Sequence, residues 1–286
     1  MRLVSPVFLT PSRLGLFTAI LLLLGAPTLP AEEVEFRYLG NEGFMVSRGE
    51  DVVLIDALFG EGVAGYSVVP RKIRKNLKKA RGDYAEVDLV LASHFHPDHF
   101  EAEAVVEHLE ANPGAHFLGP GQTTDRVVAL EEELRPRVLR LWPDSGEKLD
   151  YEHRGIHLTA VRLHHGAAPA QNLGWIVEMG GLRWLHFGDT EITAEEIRPL
   201  GLREEGIDVA LLPYWYFDTA QWQPVLEEIG ARHLVAMHLA VPEAPGHYFG
   251  EAGSLEKQMQ VIREAAPGVW IPQEPLETRT FSALKE

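Results

Sequence analysis

The segment "SHFHPDHF" (residues 93–100) places three histidines and an aspartate within six positions. Imidazole nitrogen and carboxylate oxygen both suit borderline divalent metals such as zinc. In an extended stretch, side chains two apart point to the same side, so His94 and His96 can grip one ion. Past Pro97 the pattern turns toward a helix, and Asp98 and His99 then sit at its start, directed at a neighbouring position. One short segment can therefore seed two adjacent metal sites. Chance clustering of ordinary histidines would give the same local pattern, so the reading needs partners elsewhere in the chain.

Such partners follow predicted strands: "RLHHG" offers His164 and His165, "HFGDT" offers Asp189 and "AMHLA" offers His238. Ligands at the ends of separate strands converge on one edge of a sheet, where α/β architectures place their sites. His186, three residues before Asp189, reads as a supporting or buried residue, and His108, His116, His153, His157 and His233 as structural or surface residues.

The elements that must position these groups are legible as alternation. "VEFRYLG", "GFMVSRG" and "DVVLIDALF" read as three consecutive antiparallel strands separated by turn residues. "VDLVLAS" is a buried strand that delivers the chain into the histidine cluster, and "EAEAVVEHLEANPG" a helix closed by Asn112, Pro113 and Gly114. Strands "LGWIVEM" and "LRWLHFG" flank Gly180 and Gly181, a two-residue hairpin signal. Helices are expected from Ala194, over residues 223–229 and over residues 254–265, with strands "IDVALLPYW" and "RHLVAMHLA" among them. The helical stretch "RKIRKNLKKARGDY" carries seven basic residues, read as a solvated face or, more sharply, as an anion-recognition or membrane-surface patch.

Composition narrows the function classes. The first 31 residues read as a cleaved secretory signal peptide: Arg2 and Arg13, then the apolar run "LGLFTAILLLLGA", then "PTLPAEE". The run is short of the roughly 20 residues that span a bilayer, although Leu29 is a poor fit to the cleavage motif and leaves an uncleaved N-terminal anchor as the alternative. A periplasmic or secreted protein without stable membrane insertion is expected, with residues 32–286 forming one domain. Loss of residues 1–31 removes two arginines and no acid, taking the formal charge from −16 to −18, and such an acidic chain is a poor nucleic-acid binder. With no cysteine there is no disulfide, thiolate ligand or cysteine nucleophile.

The pieces "GNEGFMV", "VVLIDALF", "SHFHPDHF", "LHHG", "FGDT" and "AMH" occur in an order that resembles the metallo-β-lactamase superfamily of metal-dependent hydrolases over most of the mature chain. The resemblance implies an α/β (α+β) fold, a four-layer αββα sandwich, with a binuclear centre at its edge. It implies that His94, His96 and His165, preferred over His164 because Gly166 follows it, hold the first ion. Asp98, His99 and His238 would hold the second and Asp189 would bridge the pair, most simply as two Zn2+ ions with Mn2+ or Fe2+ as alternatives. Asp56 matches a position that braces the metal loop by hydrogen bonding, against the plainer reading of a strand-ending Asx turn.

Such a pair would lower the pKa of a shared water to give hydroxide near neutral pH, with Asp98 orienting it and accepting its proton. The substrate would be a small molecule carrying an ester, lactone, phosphodiester or amide bond. Absence of cysteine and presence of "GDT" resemble the lactonase and phosphodiesterase branch more than true β-lactamases. An iron-dependent sulfur dioxygenase and a non-catalytic periplasmic metal-binding protein are the alternatives. Tyr214, Trp215, Tyr216, His247 and Tyr248, in loops after site-bearing strands, are candidates for substrate contact, each equally readable as packing.

Overall fold

In the computed structural model residues 33–166, 169–218 and 220–283 are described; the expected signal peptide lies outside them. The chain opens with strands β1 (Glu33–Gly40), β2 (Gly43–Arg48) and β3 (Asp51–Ile55), which pair antiparallel in sequence order as expected. Strands β4 (Leu89–Leu91), β5 (His116–Gly119) and β6 (Val138–Arg140) then add in parallel, and β13 (Thr278–Ser282) closes the other edge against β1. The second sheet runs in the order β12 (His233–Met237), β11 (Val209–Pro213), β10 (Leu182–His186), β9 (Asn172–Met179), β8 (Ile156–Leu163) and β7 (Lys148–His153).

The two sheets bury a shared core that includes Phe36, Phe44, Trp175 and Trp184, all without solvent exposure. Full burial of a side chain of this kind contributes about 1.5–3 kcal/mol. Strand β4 shows why its sequence is apolar throughout: Leu89 and Leu91 enter this core, whereas Val90 enters a second core on the opposite face. That second core is closed by helices α1 (Arg71–Lys78), α2 (Ala102–Ala111) and α3 (Gly121–Leu130) through Leu77, Val105, Leu109 and Val127. The other sheet is covered by α4 (Ala194–Ile197), α5 (Trp215–Asp218), α6 (Pro224–Ile229) and α7 (Leu255–Ala265). The result is the four-layer αββα arrangement.

Gly180 and Gly181 join β9 to β10 with φ of 58° and 76°, the left-handed pair that a tight hairpin requires and that glycine adopts without a Cβ penalty. The basic helix α1 is less of an anion patch than its composition suggests. Lys78 pairs with Glu101 at 2.8 Å, Lys79 with Glu107 at 2.8 Å and Arg74 with Glu61 at 2.9 Å, so much of its charge is met within the fold. Among the described residues no helix is long and apolar enough to cross a membrane.

Pairing directions bring the site together. Strands β3 and β4 run parallel, so their C-terminal ends share one side, and the β1–β2 turn lies there too because β2 is antiparallel to β3. In the second sheet β8 and β10 are each antiparallel to β9, and β10, β11 and β12 are parallel, so β8, β10 and β12 also end together.

Candidate metal centre

The segment after β4 differs from its sequence reading in one respect. Asp98 and His99 precede the helix: the amides of His99 and Phe100 both donate to the carbonyl of His96, forming a separate turn, and α2 starts only at Ala102. The turn still separates the two pairs. His94, His96, His165 and Asp189 bring ligand atoms within 4.8 Å of one another, as do Asp98, His99 and His238. His165 is the member of its pair that joins the cluster; His164 is exposed, with Nδ1 3.2 Å from the carbonyl of Glu191.

Asp189 stands between the two groups. Its Oδ2 lies 3.8 Å from His94 Nε2 and 3.7 Å from His165 Nε2, while Oδ1 lies 3.2 Å from His238 Nε2 and 3.6 Å from His99 Nε2. One carboxylate thus offers one oxygen to each cluster. Its side chain retains 14% exposure and His96 is half-buried, so the centre can be reached from solvent.

Asp56 fixes the proton positions on two histidines. Its carboxylate accepts from the Ser93 amide at 2.7 Å, from Ser93 Oγ at 2.5 Å and from His99 Nδ1 at 2.9 Å. Since the Ser93 hydroxyl donates to Asp56, it accepts from His94 Nδ1 at 2.9 Å. Both imidazoles then carry hydrogen on Nδ1 and turn Nε2 toward the cluster, the nitrogen through which each would bind a metal. His186 works from behind: Nε2–H donates to the Glu42 carbonyl at 2.9 Å, and Nδ1 accepts from the Gly188 amide at 3.3 Å.

The Asp189 loop is held as firmly. The Thr190 carbonyl accepts from Trp215 Nε1 and from the Tyr216 hydroxyl, both at 2.9 Å, and Thr190 Oγ1 donates to the Phe187 carbonyl. Gly188 has φ of 56°, and a Cβ there would sit 2.5 Å from Asn172 Oδ1 and 2.7 Å from Ser93 Cβ, so a side chain would push the Asp189 loop off the histidine loop. Asn41, Asp56 and His238 also have positive φ, at 47°, 46° and 60°. Non-glycine residues in that region mark backbone held by its surroundings, a feature that gathers at functional sites.

The electrostatics favour a cation. Burial, followed by the neighbouring His99, drives His94 well below the ordinary histidine value, and burial with His165 lowers His96, leaving both neutral. Burial also works against a charged His99, but Asp189, Asp98 and Asp56 outweigh it and raise that group to about 9. Burial opposes ionisation of Asp189 too, yet His238 and His99 hold it well below the usual carboxylate range. Buried Asp189 Oδ1 and His238 Nε2 have no hydrogen-bond partner. Buried nitrogen and oxygen atoms that converge without a well-formed hydrogen bond are what a divalent ion would satisfy, so the donor set fits a metal centre.

Of the expected substrate contacts, Tyr216 is placed differently. It is fully buried and its hydroxyl is engaged by the Thr190 carbonyl and the Ile192 amide, because it packs beneath the Asp189 loop and not at its mouth. Trp215 and Tyr248 do lie toward His238: Trp215 is 5.3 Å from its ring, and Tyr248 is 5.3 Å from Tyr66, itself 4.3 Å from His238. Tyr214 stacks edge-on with Trp215 at 5.4 Å and His247 lies against Tyr248 at 4.5 Å. A cleft of about 680 Å³ borders His165 and is lined by Trp142, Arg162, Gln171, Ile192 and Glu196, none of which stood out in the sequence. Tyr66 and the buried Asn41 and Glu42 do not stand out there either. A motif between two glycines, "GNEG", was the available signal for the last two.

Comparison with known proteins agrees with this geometry. The beta-lactamase superfamily domain matches residues 52–250, more than half of the chain. The chain belongs to the metallo-β-lactamase superfamily. Relatives named UPF0173 metal-dependent hydrolase include one from Symbiobacterium thermophilum, 26% identical over 182 residues that cover 63% of this chain and 71% of the relative. Another, from Thermus thermophilus, is 28% identical over 187 residues covering 63% and 70%. Among solved structures, the metallo hydrolase Igni18 of Ignicoccus hospitalis shares the fold, with a TM-score of 0.55 at 19% identity over 87% of this chain and 99% of its own.

Proposed function

We propose that this metal-dependent hydrolase of the superfamily works with two divalent ions, zinc in the simplest case, and cleaves an ester, lactone, phosphodiester or amide bond in a small molecule. The observation that carries the binuclear reading is Asp189, whose two oxygens face two separate sets of ligand atoms. His94, His96 and His165 would hold one ion, Asp98, His99 and His238 the other, with Asp189 shared.

Bound there, the ions supply Lewis acidity, lowering the pKa of water toward neutrality and polarising the substrate oxygen. The residues do the rest. Asp56 and Ser93 hold His94 and His99 in their ligating tautomers, and Trp215 and Tyr216 hold the Asp189 loop. Asn41 Nδ2 donates to Asp98 Oδ2 at 3.2 Å, which orients that carboxylate toward the proton it is to accept. The cleft beside His165 offers apolar wall from Trp142 and Ile192 and charge from Arg162 and Glu196 for the substrate's remainder. The charged start and apolar run of residues 1–31 support a periplasmic or extracellular location for this activity.

The test is zinc-loaded protein assayed against lactone, phosphodiester, ester and β-lactam chromogens, with metal content measured on the same sample. Turnover in one class with two zinc ions per chain is expected. Two ions with no turnover on any class would argue for a binding protein, and one iron without zinc for an oxidoreductase.

A further inference from the structure

The β1–β2 turn carries a charged residue where none is expected. Glu42 sits between Asn41 and Gly43 in a tight reversal, a position at which glutamate ordinarily extends into water, yet it has no solvent exposure. Neither carboxylate oxygen has a hydrogen-bond partner. The turn cannot relax outward to relieve this. Gly40 has φ of 148° and Gly43 lies so close that a Cβ there would be 2.7 Å from the Asp56 carbonyl, while the Glu42 carbonyl is tied to His186 at 2.9 Å.

What surrounds the carboxylate is the metal centre. Glu42, Asp189 and His238 bring ligand atoms within 4.8 Å of one another, and Oε2 lies 3.7 Å from His99 Nδ1. That His99 nitrogen is already committed to Asp56 at 2.9 Å, so it does not answer Glu42. A buried carboxylate without donors is costly, and such groups persist when they are paired or coordinate a metal.

We propose that Glu42 is an additional carboxylate of the metal centre, completing the position of the second ion together with Asp189 and His238. This rests on the binuclear reading above. Ligand atoms about 2.0–2.2 Å from a zinc ion are separated by roughly 3–4 Å, a spacing the Glu42, Asp189 and His238 group can reach with small side-chain movement. Charge points the same way. Asp56, Asp98, Asp189 and Glu42 are the carboxylates of this buried neighbourhood, and four negative charges balance two divalent ions. A neutral residue in place of Glu42 would lower the negative charge facing the second ion, which weakens its retention.

The experiment compares wild type with Glu42→Gln, which keeps shape and an acceptor oxygen but removes the charge. Metal-free protein is titrated with zinc against a competing chromogenic chelator, and zinc per chain is counted by mass spectrometry. Two ions are expected in wild type. In Glu42→Gln the first should bind as before and the second at least tenfold more weakly, while the metal-free variant melts no lower than metal-free wild type and gains less from zinc. Glu42→Gln that takes up both ions with wild-type affinity overturns the assignment. Wild type that takes up a single ion overturns the binuclear reading and this assignment with it. Should the variant fail to fold, a zinc-bound crystal structure of wild type decides: a Glu42 oxygen within bonding distance of the second ion supports the assignment, and one beyond 3.5 Å overturns it.

Discussion

Replacing Asp56 by asparagine isolates the residue that organises the histidine loop. Its φ of 46° is one asparagine tolerates about as well as aspartate, so the backbone is not the perturbation. The side chain is 1% exposed and accepts three hydrogen bonds, from the Ser93 amide, the Ser93 hydroxyl and His99 Nδ1. An amide retains one acceptor oxygen, enough for the Ser93 amide, and turns an NH2 toward the other two donors. Hydrogen bonds to a charged group are worth about 1.5–3 kcal/mol each, and the hydroxyl and ring can partly re-orient, so a loss of about 2–4 kcal/mol is expected. Re-orientation also releases the Nδ1–H tautomer of His94 and His99, and loss of such an outer contact typically lowers metal affinity by about 10–100-fold. Urea denaturation of the metal-free protein reads the first effect and a chelator competition the second. A variant within about 0.5 kcal/mol of wild type, the ordinary scatter for a neutral substitution, and with unchanged zinc affinity would refute the bracing role of Asp56.

Asp98→Asn, assayed at zinc concentrations that restore full metal content, should lower kcat by about 10²–10⁴, the usual contribution of a positioned acid or base; near-normal turnover at full metal content would remove Asp98 from the chemistry. Tyr216→Phe deletes a hydroxyl that holds the Thr190 carbonyl and the Ile192 amide, and a stability loss of about 1–3 kcal/mol with a fall in kcat is expected, measured by urea denaturation and steady-state kinetics. Burial lowers His108 and His186, so below about pH 6.5 the unfolded chain takes up protons that the folded chain refuses. Metal-free protein should therefore lose stability as pH falls from 6.5, and His108→Asn should flatten that slope; a slope unchanged in the variant would contradict the contribution of His108.

The histidine loop was readable because its spacing is local: two side chains on an extended segment, a proline, then a turn. The strands beneath it were readable for the same reason, as at Gly180 and Gly181, where chemistry and conformation are set by adjacent residues. The helical residues that follow Asp98 and His99 make the pair look like a helix start, whereas the carbonyl of His96 closes a turn before α2 begins. Helix α3 gives no helical signal in its sequence, since "GPGQTTDRVVAL" opens with glycine and proline and its burial depends on contact with α2, β5 and β6. Glu42 and Tyr66 were beyond a linear reading. A glutamate between glycines looks exposed until the sheet edge folds over it, and Tyr66 meets His238 only because the loop after β3 crosses to the other sheet, where it bridges Ala240.

Anomalous diffraction at the zinc edge, on crystals of the zinc-loaded protein, tests the central claim most directly. Two peaks about 3.5–4 Å apart are predicted, one ringed by His94, His96 and His165 and the other by Asp98, His99 and His238, with Asp189 between them. A single peak, or peaks away from Asp189, would contradict it.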